Sequence, residues 1–593
     1  MITLSQTHPD LPYLPPLPHL PYHCPVKRQL LSRPSILNPQ IGWGLVFIGA
    51  IALSLDQAGI WGQDILNPGG FSLLGRFLQA SLQPELSPEF FQLTLEATLT
   101  TLAYAVCGTF LSVVLGIIGG IFTSEVWWLA VSPGAIERHP SKIWVSLRGL
   151  LAVPRAIHEM LWGLFFVNIW GLDPLVAILA IALPFGAVVA KVFAEILDET
   201  PRQPLITLLN SGVAPLTAFL YTLIPQAFLN LLSYTFYRFE CSIRSAAVLG
   251  IIGAGGLGYE IFLSLQSLRY QQLWTFFYAL FILNGMVDFS SAWLRDRLGC
   301  SSRLDLNANH GSTSQRKLYQ RDPLITLAGI GGALLIPFCF WYVHPDFTQL
   351  WSPRTGKLLV DAITVSFPPD ISWEQLPELV RLSTQTLSMS ILAIALAGMG
   401  GILLSFPATR NFFLPGGLLN PSRHGRGRGE TIWVWIPFLL TRAILLVYRA
   451  IPAPIWALVA LFILFPGILP GAIALGLHNL GILGRLMAEV TENLPQPPLQ
   501  ALKAQGTPAA LVFLYGVLPM TLPRFLAYSL YRWEVCIRET VIVGLVGAGG
   551  LGRLLSEQLS SFDAPGIVTT IACLIMLTIL VDWVSGISRR SLR

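Results

Sequence analysis

Two groups of charged residues with the same internal spacing occur in this chain of 593 residues. The first group is Arg238, Glu240 and Arg244, and the second is Arg532, Glu534 and Arg538. Arg binds phosphate-like oxyanions through two parallel hydrogen bonds, so two such arginines brought together would suit a small oxyanion. Glu240 lies one helical turn before Arg244 and is expected to pair with it, which leaves one Arg per group for another partner.

A structural role is the alternative for these six residues. In that case each group is an ion pair plus an Arg whose stem runs along apolar surface to reach water. Ionisable residues in an apolar segment are costly, and they are expected to face a partner or an aqueous cavity. The six residues therefore form a hypothesis for a substrate path.

A glycine-rich passage follows each charged group. It contains Gly253, Gly255, Gly256 and Gly258 in the first copy, and Gly547, Gly549, Gly550 and Gly552 in the second. A dinucleotide site with the same GxGxxG pattern needs a preceding strand, a following helix and an acidic residue about 20 positions later. Here the passage lies between long apolar runs, which disfavours that interpretation. Close helix packing and a hinge or pore-lining role remain as the two alternatives.

These motifs belong to a long internal repeat. Residues 237–258 and 531–552 are similar passages, and the register continues without a gap from Glu195 and Glu489 to Asp288 and Asp582. A period of half the chain indicates two copies of a whole domain. We therefore divide the chain, in order, into a Pro-rich arm, repeat 1, a basic linker and repeat 2, over residues 1–40, 41–298, 299–322 and 323–593.

The composition is that of an integral membrane protein. Hydrophobic residues make up 53% of the chain, charged residues only 12%, and the mean hydropathy is +0.63. Soluble domains carry about 25% charged residues. The net charge of +5 comes from basic residues in short loops, so no nucleic-acid partner is expected. The seven cysteines show no disulfide framework and no metal-ligand spacing.

Twelve segments are long and apolar enough to be membrane spans. Those of repeat 1 are 41–58, 96–122, 145–170, 173–193, 217–240 and 273–293. Those of repeat 2 are 324–343, 384–406, 432–462, 466–488, 511–534 and 567–588. An even number of spans per copy gives both repeats the same orientation. The predicted fold is an all-α integral membrane protein with two parallel six-helix repeats.

Lys and Arg in the short loops predict the orientation. They are concentrated in the arm, the linker, the loop 407–431 and the C-terminal tail, whereas the segment 59–95 is mainly acidic. Both termini are therefore expected to be cytoplasmic. The same topology places the loops 195–216 and 489–510 in the cytoplasm. Each contains prolines, a short helix-compatible stretch and then a glycine, which predicts a short surface helix.

These two loops carry the motif by which the chain resembles permeases of binding-protein-dependent ABC importers. Such permeases have a Glu-Ala-Ala triplet, then a Gly, and a Pro thirteen residues after that Gly. Here the Gly and Pro positions are Gly212 with Pro225, and Gly506 with Pro519. The triplets end at Leu208 and Leu502, and both lack the Glu; only Ala501 keeps a family residue.

The segment 522–552 is similar to that of phosphonate importer permeases. The resemblance implies a MetI-like fold and transport of phosphonate, phosphate or phosphite across a bacterial inner membrane. It also implies two ATPase subunits docked at 199–214 and 493–508, and a periplasmic or lipid-anchored substrate-binding protein. ATP would be bound by the partner subunits, so no cofactor is expected in this chain, which looks like two permease subunits fused.

Two other classes of protein are alternatives to an ABC importer permease. A secondary active transporter of small anions can also have parallel six-helix repeats, but it would work without ATPase subunits. A membrane enzyme or scaffold is disfavoured because the chain has no P-loop, no HExxH and no GxSxG motif. We therefore expect a transport permease rather than an enzyme.

Overall fold

The computed structural model describes residues 39–61, 65–131, 142–298, 323–366, 368–369, 373–413 and 428–592. Almost all of the Pro-rich arm, the basic linker and the basic centre of the loop 407–431 lie outside these ranges. Within them the protein is all-α, as predicted, and its one isolated β-bridge joins Leu66 to Leu464.

Repeat 1 contains eleven described α-helices. They are α1 (Pro39–Gln57), α2 (Gly70–Ala80), α3 (Pro88–Thr123), α4 (Glu125–Val131), α5 (Lys142–Ala156), α6 (Glu159–Trp170), α7 (Pro174–Glu199), α8 (Gln203–Asn210), α9 (Pro215–Leu249), α10 (Gly256–Gln266) and α11 (Tyr270–Leu298). A π-helical turn, Gly250–Ala254, continues α9.

Repeat 2 contains twelve described α-helices. They are α12 (Pro323–Val343), α13 (Pro353–Ser366), α14 (Leu376–Ser405), α15 (Arg410–Phe413), α16 (Arg428–Ala450), α17 (Ala453–Ile463), α18 (Ile468–Glu492), α19 (Gln496–Ala504), α20 (Ala509–Val512), α21 (Leu518–Val543), α22 (Gly550–Ser560) and α23 (Ala564–Leu592). A 3₁₀ turn precedes α13 at Phe347–Trp351, and π-helical turns follow α20 and α21 at Phe513–Val517 and Gly544–Ala548.

Nine of the described helices, with turns merged, are long and apolar enough to cross a membrane, and eleven spans result if each of two bent helix pairs counts as one. The shorter apolar helix Gly42–Gln57 lies in the one remaining predicted span, 41–58. From α7 to α11 the helix boundaries of repeat 1 recur in repeat 2 in the register of the sequence repeat. The two-repeat architecture is therefore confirmed.

The third predicted span of each repeat is not one continuous helix. α5 and α6 meet at 84°, and the part of α16 from Trp435 meets α17 at 97°. In repeat 1 the His158 ring accepts a hydrogen bond from the Met160 backbone N–H, which caps a new helix after the break. In repeat 2 Pro452 occupies the N-cap of α17. Proline disfavours a helical conformation of the preceding residue, so the chain turns there.

The first helix of each repeat packs on the other repeat. α1 lies against α14 and α23, with Phe47 edge-on to Trp533 and the Ser388 hydroxyl bonded to Gln57. α12 lies against α3 and α11, with Phe340 edge-on to Phe110. Each repeat therefore completes its packing with a helix that belongs to the other.

Candidate functional site

A cavity of about 320 Å³ lies between the two repeats, among the membrane-spanning helices. Its walls come from α7 and α9 of repeat 1, from α18 and α21 of repeat 2, and from the breaks after α5 and α16. Its volume is at the lower end of ligand pockets, which start at about 300 Å³. The cavity can therefore hold a small molecule or ion.

Cationic side chains exceed anionic ones in the lining of this cavity. Five arginines contribute to it, namely Arg155, Arg238, Arg244, Arg532 and Arg538. The lining carboxylates are Glu159, Glu195 and Glu539. Tyrosines from corresponding positions of the two repeats add four phenol groups, Tyr234, Tyr237, Tyr528 and Tyr531, which can donate hydrogen bonds to an anion. The lining suits a small oxyanion better than a cation.

Arg532 forms hydrogen bonds with two side chains of repeat 2. Its Nη2 donates to Glu539 Oε1 at 2.6 Å, and its Nε donates to the Asn479 side-chain oxygen. The Asn479 amide in turn donates to Glu539 Oε2 at 3.1 Å. The guanidinium, the amide and the carboxylate thus form a closed network in which the charges balance.

Arg238, the corresponding residue of repeat 1, has a different environment. Its Cζ lies 3.8 Å from the centroid of the Phe185 ring, a cation–π contact. The residue is only 8% exposed, yet its Nε has no hydrogen-bond partner among the described residues. No carboxylate in that part of the chain lies within ion-pair distance.

Arg244 and Arg538 also line the cavity but bind neighbouring neutral atoms. Arg244 Nη2 lies 3.2 Å from the Cys241 sulfur. Arg538 donates to the backbone carbonyl of Arg155 at 2.8 Å, across the boundary between the repeats, and to the Glu534 carbonyl at 3.1 Å. Four arginines of the predicted path therefore reach one cavity.

The predicted pair between Glu240 and Arg244 is wrong. Glu240 instead accepts a hydrogen bond from Ser291 at 2.6 Å and lies 3.5 Å from Arg295, both on α11. The side chains of α11 are closer to Glu240 than Arg244 is, because the neighbouring helix packs on that face of α9.

The same arrangement recurs in repeat 2, where Glu534 binds Ser585 at 2.7 Å and Arg589 at 2.6 Å. Neither Glu240 nor Glu534 lines the cavity. Both glutamates tie the cavity helix to the last helix of their own repeat. The recurrence of Ser and Arg in the same register is the sequence signal that could have identified these partners.

The two glycine-rich passages adopt the same broken backbone. In repeat 1 Gly253, Gly255 and Gly256 have φ values of 93°, 85° and 73°, which L side chains rarely adopt. Gly547, Gly549 and Gly550 have corresponding values of 106°, 83° and 69°. The preceding segment is helical rather than a strand, so the passage is not a dinucleotide-binding turn.

The last glycine of each passage is a close-packing position. A Cβ added at Gly258 would overlap the carbonyl oxygen of Ala247, and one at Gly552 would overlap that of Val541. None of the eight glycines lines the cavity. Each passage thus combines an interruption of the helix with close packing, and a hinge role stays a prediction.

The predicted short helices in the loops 195–216 and 489–510 are α8 and α19. Each ends at a glycine in the left-handed region, Gly212 with φ 79° and Gly506 with φ 77°. Leu208 is half-buried on α8, whereas Ala501 is exposed on α19. Pro225 lies inside α9 and Pro519 lies in the first turn of α21.

Several residues of the cavity were not singled out from the sequence. Phe185, Asn479, Glu539 and the two histidines belong to this set. Phe185 corresponds to Asn479, and Ser245 corresponds to Glu539, so the repeat register marks both as places where the copies differ. Within the described ranges no cluster of three His, Cys, Asp or Glu side chains could hold a metal ion.

Comparison with known proteins places these observations in a family. The model of the binding-protein-dependent transport system inner membrane component matches residues 129–299 and 433–593, together more than half of the chain. Each match lies within one repeat, and the two contain the charged groups, the glycine passages and the short helices described above.

Two curated relatives illustrate the family. The chain is 27% identical over 452 residues to the phosphate-import permease protein PhnE of Mycolicibacterium smegmatis, covering 75% of this chain and 78% of that protein. It is 30% identical over 296 residues to the phosphite transport system permease protein PtxC of Stutzerimonas stutzeri, covering 48% of this chain and 98% of that protein.

Among solved structures, the inward-facing MetNI methionine ABC transporter matches with 18% sequence identity and a TM-score of 0.31. The match covers 36% of this chain and 98% of the matched chain of that transporter. The family match rests instead on the two domain matches and on the relatives. The chain is a multi-pass membrane protein of the binding-protein-dependent transport system inner membrane component family, with two copies of the family domain in one polypeptide.

Proposed function

We propose that this chain is the complete transmembrane pathway of an ABC importer for a phosphorus oxyanion, namely a phosphonate, phosphite or phosphate. The excess of arginine over glutamate in the cavity between the repeats is the observation that carries the proposal. The printed functions of the relatives agree in substrate class, since one is a phosphate-import permease and another a phosphite permease.

The pathway would be driven by two ATPase subunits that dock on α8 and α19. α8 is anchored by Leu205, which is buried in a cluster with Phe193 of α7 and Phe219 of α9. α19 is anchored by Leu499, which packs with Val512 and Phe525 near the start of α21. Movement of each short helix would thus reach the helix that carries Arg238 or Arg532.

The docking surfaces differ from those of typical family members because both lack the triplet Glu. On α8 the first triplet position is Ile206, which is 51% exposed, and on α19 it is Gln500, which is also exposed. We infer that ATPase contacts here rely on apolar and neutral polar side chains. Docking is therefore expected to depend weakly on salt, since few exposed ion pairs are involved.

The remaining assembly follows from the proposed importer role. Both termini and the short helices would lie in the cytoplasm of a bacterium, with the chain in the inner membrane. A substrate-binding protein would deliver the oxyanion on the opposite face. Selective closure of the ATPases on ATP would favour the outward-open state, because a ligand shifts an equilibrium only by its differential affinity for the two states.

Uptake by the reconstituted protein tests the proposed function. The chain is placed in proteoliposomes with its ATPase and binding protein, and radiolabelled phosphate, phosphite and methylphosphonate are supplied separately. We expect ATP-dependent uptake of at least one of them. Uptake without ATPase subunits would instead identify a secondary transporter. No uptake of any of the three would overturn the oxyanion proposal.

A further inference from the structure

The two walls of the cavity differ at positions beside the corresponding arginines Arg238 and Arg532. Phe185 in repeat 1 corresponds to Asn479 in repeat 2, and Ser245 corresponds to Glu539. Arg238 and Arg532 themselves are the same residue in the same register. The two repeats thus present this corresponding arginine to the cavity in environments of different charge.

On the repeat 2 wall the charge of Arg532 is already neutralised. Glu539 and Asn479 accept hydrogen bonds from Arg532 and bind each other. A carboxylate at 2.6 Å occupies the guanidinium edge that an oxyanion would otherwise use. An incoming anion would have to displace the Glu539 carboxylate, so Arg532 is a weak ligand for it.

On the repeat 1 wall the charge of Arg238 is not neutralised by a described residue. Ser245, which stands where repeat 2 has Glu539, donates its hydroxyl to Glu159 at 2.6 Å and brings no charge of its own. Glu159 also lies 3.2 Å from His158. Among the described residues Arg238 therefore has a cation–π contact and no anionic partner.

A buried guanidinium without an anion is costly, and in proteins such groups pair or mark a functional site. Stacking on Phe185 fixes the plane of the guanidinium, and its Nε–H has no hydrogen-bond partner among the described residues. A tetrahedral oxyanion presents two oxygens at the spacing that such an edge binds. The vacant partner position of Arg238 is therefore suited to one phosphorus oxyanion.

We propose that the cavity binds a single oxyanion on the repeat 1 wall, with Arg238 as its principal ligand and Phe185 as the platform that orients Arg238. Arg532 is a positioning residue that stabilises the repeat 2 wall through Glu539. The proposal rests on the proposed function and adds that the two corresponding arginines have different roles.

Matched variants of the two walls test the proposal in the complete importer. We compare Arg238→Gln with the charge-balanced double variant Arg532→Gln/Glu539→Gln, and measure initial uptake of phosphate, phosphite and methylphosphonate. Loss of a charge-assisted ligand should reduce the rate by about tenfold or more for Arg238→Gln. The double variant should lose several times less, because it removes an internal pair and leaves the anion ligand in place.

A second variant keeps Arg238 and closes its site. Phe185→Asn/Ser245→Glu copies the repeat 2 network into repeat 1, and we expect uptake to fall about as much as in Arg238→Gln. Size-exclusion profiles and thermal midpoints in detergent show whether each variant folds. If Arg238→Gln does not fold, this graft decides the question, because it preserves the arginine and adds its partner.

The outcomes separate this proposal from the proposed function. Active wild-type protein with equal losses in the Arg238 and Arg532 variants would overturn the one-sided site and leave the importer role standing. Undiminished uptake in the graft variant would also overturn it. Wild-type protein that takes up none of the three oxyanions would overturn the importer role itself.

Discussion

Repeat 1 and repeat 2 share their supporting contacts and differ in their cavity contacts. Each has a glutamate on the cavity helix bound to Ser and Arg on the last helix, and each has the same broken glycine passage. Of the corresponding cavity arginines, by contrast, Arg532 has a carboxylate partner and Arg238 has none among the described residues. The scaffold of the domain was retained in both copies while the two walls of the cavity diverged.

The largest effects are expected where the repeats are the same. Gly258→Val and Gly552→Val each force a side chain into a backbone carbonyl, and we expect each to cost about 3 kcal/mol in unfolding free energy and to lower the yield of folded protein. Gly332→Val is the control, because no atom lies within 4 Å of a Cβ there. Thermal unfolding in detergent measures the effect, and a large difference between the first two variants would contradict the common role.

The next effect separates the repeats. Glu539→Ala leaves the buried Arg532 without its carboxylate, and we expect a loss of about 3–5 kcal/mol in unfolding free energy. Ser245→Ala at the corresponding position removes one hydrogen bond to Glu159 and should cost about 1 kcal/mol. Denaturant unfolding in detergent compares them. Similar losses would show that the two arginine environments are energetically alike.

A smaller difference concerns the ion pairs between repeats. Arg449 of repeat 2 binds Asp288 of repeat 1, and we expect Asp288→Asn to cost about 1–3 kcal/mol. Asp582, the corresponding residue, is exposed and has no hydrogen bond or ion pair among the described residues, so Asp582→Asn should stay within about 0.5 kcal/mol. Thermal midpoints check both, and a larger effect of Asp582→Asn would reverse the assignment.

The smallest expected difference lies at the end of the fourth span. Arg485 and Glu489 are 2.7 Å apart and mostly buried, whereas Lys191 and Glu195 are 3.8 Å apart and half exposed. Glu489→Gln should cost about 0.5–1 kcal/mol, and Glu195→Gln less than about 0.3 kcal/mol because water screens the pair. Raising the salt concentration should lower the cost of Glu195→Gln further and leave that of Glu489→Gln nearly unchanged, because partly buried pairs are screened much less. A cost of Glu195→Gln that does not fall at high salt would argue against screening.

Much of the scaffold is predictable from the sequence because its signals are local. Pro and Gly mark the ends of α8 and α19, and apolar length marks the spans. The breaks after α5 and α16 were missed because hydropathy averages over a whole segment, although Pro452 lies at one of them. Proline alone would not have identified the breaks, because α7, α9 and α12 each continue through an internal proline.

The cavity was only partly predictable. Four arginines of the predicted path do line it, because the doubled register identifies residues that meet near a pseudo-twofold axis. Helical spacing considers only one helix, so it suggested Arg244 for Glu240, whose partners lie on α11. The Arg532–Glu539 pair lies two turns apart on α21 and could have been read from helical spacing, whereas the contacts of Asn479 and Phe185 come from α18 and α7 and could not.

The packing of α1 on repeat 2 and of α12 on repeat 1 has a consequence for the order of assembly. α1 leaves the ribosome early, yet its packing surface on α14 and α23 is made only after residue 376. During that interval α1 faces lipid, which an apolar helix tolerates because its backbone hydrogen bonds are internal. α1 therefore gains its packing surfaces only after α14 and α23 have been made, which places its packing late in assembly.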